Sequence, residues 1–219
     1  METSTPSLGF QVTELTGINV AKGITILFLI ALAIIYGIHD QRQVIYLCLH
    51  ISYCCWWLLE QWLFPQRRQQ IFTEKISLIS FLFILLFVGI FYALPGYLAF
   101  INPNPISYST VFVAFPLYIF GSLINTSADV QKTTAKSMGA GLINDGIWRF
   151  VRHINYLGDL LRYTSFSVIA GSGWAFLVPG VISLLYLQRI TQKENSMATK
   201  YPEFIDYQKN SSRLLPFIW

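Results

Sequence analysis

Charge is what this chain has least of. Asp, Glu, Lys and Arg make up 12% of its 219 residues, against 54% hydrophobic residues, and the mean hydropathy is +0.50. A water-soluble domain carries roughly 25% charged residues, so the deficit excludes a soluble fold and turns much of the surface towards lipid. Cysteine is scarce as well. Cys48, Cys54 and Cys55 fall in one apolar stretch, a placement that argues against a disulfide framework or a structural zinc. There is no Gly-x-Gly-x-x-Gly and no Walker sequence, so any nucleotide is gripped by side chains rather than by a Rossmann turn. The chain shows no internal repeat, no low-complexity tract and no separate soluble domain, and nothing in it points to nucleic acid or metal. Its opening, mostly polar stretch lacks the short charged lead of a secretory signal, which predicts that the first hydrophobic segment stays in place as a helix.

What the chain does have is long apolar segments: Lys22–Ile38, Val44–Phe64, Ile76–Phe100 and Tyr108–Asn125. About 20 helical residues cross a hydrocarbon core roughly 30 Å thick. The third segment is long and contains Pro95 and Gly96, so its end is expected either to kink or to lie at the membrane interface. The connections are brief, which favours antiparallel neighbours. Leu157–Ala170 and Trp174–Gln188 are shorter, about 22 Å each as helices, and are split by Gly171-Ser172-Gly173. They are expected to form a hairpin that dips into the bilayer and returns. Arg189–Trp219 follows as a polar, partly helical tail. The predicted fold is thus an all-α, polytopic membrane helix bundle of about four full spans plus a C-terminal helical hairpin and a polar tail. It forms a single membrane domain over 1–219, with N-terminal helices over 1–126, a polar C-terminal region over 127–219 and the hairpin at 157–188.

Basic residues set the orientation. The second connection holds Arg67, Arg68 and Lys75, whereas the third, around Asn102-Pro-Asn-Pro105, holds no charge. With the second connection cytoplasmic, both chain termini and everything after Asn125 are cytoplasmic too. The membrane is the inner one in a bacterium and the endoplasmic reticulum in a eukaryote. Residues 127–219 hold ten Lys/Arg against six Asp/Glu, while the remaining five of each sign cancel. A basic cluster at a membrane face reads either as a topology signal or as a site for an anion.

Polar residues collect in four places. Along Asn125-Thr-Ser-Ala-Asp-Val-Gln-Lys-Thr-Thr-Ala-Lys136, the positions Asn125, Asp129, Lys132 and Lys136 share one helical face. That face is either a solvated helix with an Asp129–Lys132 pair or part of a ligand site. In Gly146-Ile-Trp-Arg-Phe-Val-Arg-His-Ile-Asn-Tyr-Leu-Gly-Asp159, a helix starting near Asn155 puts Asn155, Asp159 and Arg162 on one face. The choice there is between an Asn cap with an Asp159–Arg162 pair and an amide–carboxylate–guanidinium site. The tail adds Arg189, Lys193, Glu194, Lys200, Tyr201, Tyr207 and Arg213. Inside the second apolar segment, His50, Tyr53, Trp57 and Glu60 form a polar-aromatic stripe in which Glu60 either snorkels towards Arg67 or Arg68 or acts on a ligand.

Arg152-His-Ile-Asn-Tyr-Leu-Gly-Asp159 resembles the Arg-His-x-Asn-Tyr-x-Gly-Asp block of sterol reductases. Ala128-Asp-Val-Gln-Lys132, Lys200-Tyr201 and the closing Tyr207-(x)8-Pro-Phe-Ile-Trp219 are similar to segments of the same superfamily. That superfamily joins steroid 5-alpha-reductases, sterol reductases and isoprenylcysteine carboxyl methyltransferases, and this chain looks like a small, DUF1295-like member. The matching motifs run from Asn125 to the C-terminus. The resemblance implies an NADPH site reached from the cytoplasm and contacted by Asn125, Asp129, Lys132, Lys136, Trp148, Arg152, His153, Arg189 and Glu194. It places Asn155 and Asp159 on the nicotinamide amide, and Lys200, Tyr201 and Tyr207 near the adenine and phosphates. Trp56-Trp-Leu-Leu-Glu60 is similar to the Trp-x-Leu-x-Glu of 5-alpha-reductases, which casts Glu60, with Tyr156, in the catalytic role. Two departures stand out: the first member of the acidic pair ahead of Lys-Tyr is Lys193 here, and Ile154 stands where the methyltransferases have Pro. The expected activity is reduction of a carbon–carbon double bond in a lipophilic, sterol-like or enone substrate. The alternatives are an S-adenosylmethionine-dependent methyltransferase and a non-enzymatic membrane scaffold.

Overall fold

A computed structural model describes residues 12–69 and 71–219, without the side chain of Arg68; the polar lead before Val12 lies outside the described residues. The protein is an all-α, polytopic integral membrane protein. Helices α1 (Glu14–Tyr36) and α2 (Gln41–Leu63) are followed by the short α3 (Pro65–Arg68). The next span is built from α4 (Leu78–Ile84), a π-helical turn (Leu85–Ile90), a 3-10 turn (Phe91–Ala93) and α5 (Leu94–Ile101). Then come α6 (Tyr108–Ser137), α7 (Ile154–Ala170), α8 (Leu177–Lys200) and α9 (Phe204–Lys209). The segments long and apolar enough to cross a membrane are Glu14–Tyr36, Leu78–Ile101, Tyr108–Ser137 and Gly173–Lys200. Helix α2 has the length, but Arg42, His50 and Glu60 lower its hydropathy, and Gly173–Lys200 stands among the four instead.

Local chemistry sets the helix ends. Thr13 Oγ1 accepts from Thr16 N at the start of α1, and Ser107 Oγ accepts from Thr110 N at the start of α6, each satisfying an orphan N–H. Gly171 ends α7 in the left-handed conformation, with φ 65°, where glycine escapes the Cβ penalty. The irregularity expected near Pro95 lies just ahead of it, at 85–93. Proline has no N–H for the carbonyl four residues back and crowds it, so the preceding backbone rewinds.

The chain forms two compact units, one from Met1–Gly37 with His50–Leu94 and the other from Ile38–Leu49 with Pro95–Trp219. In the first, two-residue strands Val12–Thr13 and Lys75–Ile76 pair antiparallel, and Gly89 packs on α1. In the second, α6 and α7 run antiparallel in close contact. Tyr46, Tyr118 and Phe166 form its aromatic core, with ring centroids 5.7 and 5.9 Å from Phe166.

The expected hairpin is formed by α7 and α8. Its tip is held by the first turn of α2 and by the connection that precedes α6: Arg42 Nη1 donates to Ile169 O, and Asn102 Nδ2 donates to Ala170 O at 2.9 Å. Arg42 also reaches Asn104 O at 3.1 Å, and Asp40 accepts from Ile106 N at 3.1 Å. Helix α7 is about 26 Å long for its 17 residues. Helix α8 continues without a break past Gln188 to Lys200, so the first part of the expected tail is the end of a span. A helix extends through polar residues wherever its backbone bonds and neighbours hold it.

Candidate cofactor-binding site

The second unit gathers the polar end of α6, the start of α7 and the last turns of α8. Two glycines bring α6 and α7 together. A Cβ on Gly121 would stand 2.7 Å from Gly158 O, and one on Gly158 would stand 2.7 Å from both Gly121 O and Asn125 N. This approach lets Asn125 Nδ2 donate to Asn155 O at 3.1 Å. Helix α7 begins at Ile154 with His153 as its N-cap, so Asn155 is not the cap. Among the described residues its carboxamide makes no hydrogen bond of its own. The Asp159–Arg162 pair is present: Arg162 Nη2 donates to Asp159 Oδ1, while Tyr186 Oη donates to Oδ2 at 2.8 Å. Tyr156 lies stacked between His153, at 5.7 Å, and Tyr186, at 4.2 Å.

The cations form a group on this face. Lys132 stands 5.5 Å over the Trp148 ring and Lys193 4.9 Å over the Tyr156 ring. Lys136 donates to Tyr201 Oη at 3.1 Å and to the carbonyl of Ala140 at 3.2 Å. Lys132 feels the charges of Lys193, Lys136 and Asp129, and Lys193 feels those of Arg189 and Asp129. Lys132, Arg189 and Lys193 are exposed and form no ion pair among the described residues. Like charges held this close repel one another, and the energetic complement is an anion. The hydrogen bond from Lys136, acting with other causes, holds the Tyr201 hydroxyl below the usual phenol range. Lys200 stands over the same ring at 5.4 Å.

Other residues expected at the cofactor bond to one another and to the backbone. Arg152 and Arg213 each bond one oxygen of buried Glu194, both at 2.8 Å, and His153 Nε2 stands 3.4 Å from it. Arg152 also donates to Gln208 O at 3.1 Å and to Ser211 O, so Glu194 pins the tail beside α7. Burial pushes the His153 imidazole down against the opposite pull of Glu194. Trp148 Nε1 donates to Ala128 O at 3.1 Å and its own carbonyl accepts from Tyr207 Oη; burial holds that phenol above its usual range. An open hollow of about 380 Å³ lies beside this clamp, lined by Arg152, Arg213 and Trp219 among others. Glu60 belongs to the first unit, where it is buried and ion-paired with Arg67.

From the sequence alone Tyr186 does not stand out, and Lys193, named in the tail cluster, reads as a departure from an acidic pattern rather than as a cofactor contact. Lys193 lies four residues after Arg189, and Tyr186 three before it, which marks one face of α8.

Two comparisons bear on this site. Residues 9–211 match the family described as protein of unknown function (DUF1295). A Delta(14)-sterol reductase of Arabidopsis thaliana is 23% identical over 191 residues, covering 78% of this chain. The chain spans about half of that relative's length, 52%.

Proposed function

From its membership of the DUF1295 family, to which this chain belongs, and from the cationic face of its second unit, we propose a membrane-embedded, NADPH-dependent reductase of a carbon–carbon double bond in a lipid or steroid-like molecule. The carrying observation is that Lys132, Arg189 and Lys193 lie within reach of one another's charge and, among the described residues, form no ion pair, while Asn155 in the same unit keeps a carboxamide that makes no hydrogen bond of its own among those residues. NADPH has a pyrophosphate, a ribose phosphate and a nicotinamide amide, which match such a donor set. The sterol reductase relative supports an oxidoreductase of this kind.

In this reading Lys132, Lys136, Arg189 and Lys193 hold phosphates, and Asn155 orients the amide. The bound cofactor supplies a hydride to one alkene carbon; a proton completes the other. The Tyr156 hydroxyl, which hydrogen-bonds nothing among the described residues, is the donor that fits, and its ring is held in place by the stack with Tyr186. Glu60 carries the substrate-polarising role only through the resemblance. Its pairing with Arg67 marks it as an acceptor rather than a proton source. The positive-inside pattern of the sequence, with Arg67 and Lys75 in one connection, supports approach of the cofactor from the cytoplasm in this reading.

The test is titration of purified protein in detergent with NADPH and, separately, with S-adenosylmethionine, followed by NADPH consumption against a panel of enone lipids. The reading expects NADPH binding that weakens with salt. Tight S-adenosylmethionine binding with no response to NADPH overturns it in favour of a methyltransferase, and binding of neither leaves a scaffold.

A further inference from the structure

The first unit holds a polar site of its own. Lys22 is only 2% exposed, about 12 Å along α1 from its start. Its Nζ donates to Tyr53 Oη at 3.1 Å and stands 4.2 Å from the centroid of that ring, 5.9 Å from that of Trp57 and 5.8 Å from that of Tyr92. Among the described residues no carboxylate lies within ion-pairing distance of it; Glu60, in the same unit, is engaged by Arg67.

The backbone facing this level of α1 is irregular. The π-helical turn Leu85–Ile90 passes into the 3-10 turn Phe91–Ala93. Gly89 comes so close that a Cβ on it would stand 3.3 Å from Ala21 O, and Thr25 Oγ1 donates to Gly89 O at 2.9 Å. The rewound segment brings Tyr92 over Lys22. Such π turns recur at functional sites, and an ionisable group inside a membrane helix is costly to maintain.

Ring faces attract a cation but do not replace its hydration shell. Lysine is a donor only, and Tyr53 takes one of its bonds. The next residue of α1, Gly23, presents an open helix surface, with no other part of the protein within 4 Å of where a side chain would begin, and Leu27 further along the helix is 68% exposed. The complement of such a place is an anion with an apolar body.

We propose that Lys22, Tyr53 and the rings of Trp57 and Tyr92 bind the carboxylate of a lipophilic acid whose hydrocarbon body lies along the lipid-facing side of α1. The site stands apart from the reductase reading, since it needs no nucleotide.

The test uses the full-length protein in detergent with cis-parinaric acid, whose fluorescence rises on binding, and its methyl ester, each corrected against protein-free micelles at pH 8. The acid binds saturably and at least tenfold more tightly than the ester. Lys22→Met abolishes that preference, Lys22→Arg retains it, and Tyr53→Phe weakens acid binding severalfold. Equal affinity for acid and ester in the unmodified protein overturns the proposal, as does a folded Lys22→Met variant that still prefers the acid. If Lys22→Met does not fold, the acid–ester comparison and Tyr53→Phe decide: no preference, or a preference that Tyr53→Phe leaves unchanged, overturns it.

Discussion

Gly121 and Gly158 meet backbone to backbone, each placed so that a Cβ on one would stand 2.7 Å from the carbonyl oxygen of the other. Small residues of this kind let membrane helices approach closely. Here the contact also sets the register of Asn125 on Asn155. The glycine of the Asn-Tyr-Leu-Gly158-Asp motif therefore positions the site without touching a ligand.

Gly158→Ala is expected to force α6 and α7 apart and to destabilise the protein by about 1–3 kcal/mol. Thermal unfolding in detergent measures the loss. An unchanged midpoint would refute the close approach.

Lys132→Met and Lys193→Met are each expected to weaken NADPH binding about tenfold, roughly 1.4 kcal/mol, and to flatten its salt dependence. The effects should be less than additive, because each substitution also relieves repulsion on the cations that remain. Titration at two ionic strengths checks this.

Glu194→Gln removes the charge facing Arg152, His153 and Arg213. Leaving buried Arg152 without its counter-charge costs about 3 kcal/mol, and the share due to Arg213, whose side chain is 36% exposed, is screened and small. The tail then loosens from α7, which limited proteolysis after Lys200 reports.

His153 gives a pH dependence of definite sign. Burial holds its folded pKa below the ordinary value of 6.5, so the unfolded chain binds more protons between those two values. The stability it contributes is complete above about pH 6.5 and is lost as pH falls through the depressed folded value. Denaturation midpoints between about pH 5 and 8 should show this slope, and His153→Phe, which keeps the stack on Tyr156, should remove it.

Arg42→Lys is expected to unpin the hairpin tip. A lysine cannot reproduce the fork that reaches Ile169 and Asn104 together, and the loss is about 2 kcal/mol. Faster hydrogen exchange at Ile169–Gly171 is the readout.

Composition and apolar segment length were enough to establish a helical membrane protein, because lipid leaves the backbone no alternative to internal hydrogen bonding. The 3.6-residue period was enough to group Asn125, Asp129, Lys132 and Lys136 on one face. Pro95 announced an irregular span, although not a π turn stabilised by Thr25. What the sequence could not decide was which charged groups are spent on one another. Arg152 and Arg213 look like Lys132 and Lys193 in one dimension, but only packing places the first pair, with His153, around the single buried carboxylate of Glu194 and leaves the second pair exposed. The anchoring of the hairpin tip was also decided there, by Arg42 and Asn102, which lie far from it in the chain. Pairings between distant residues depend on how helices dock, and no local pattern encodes that.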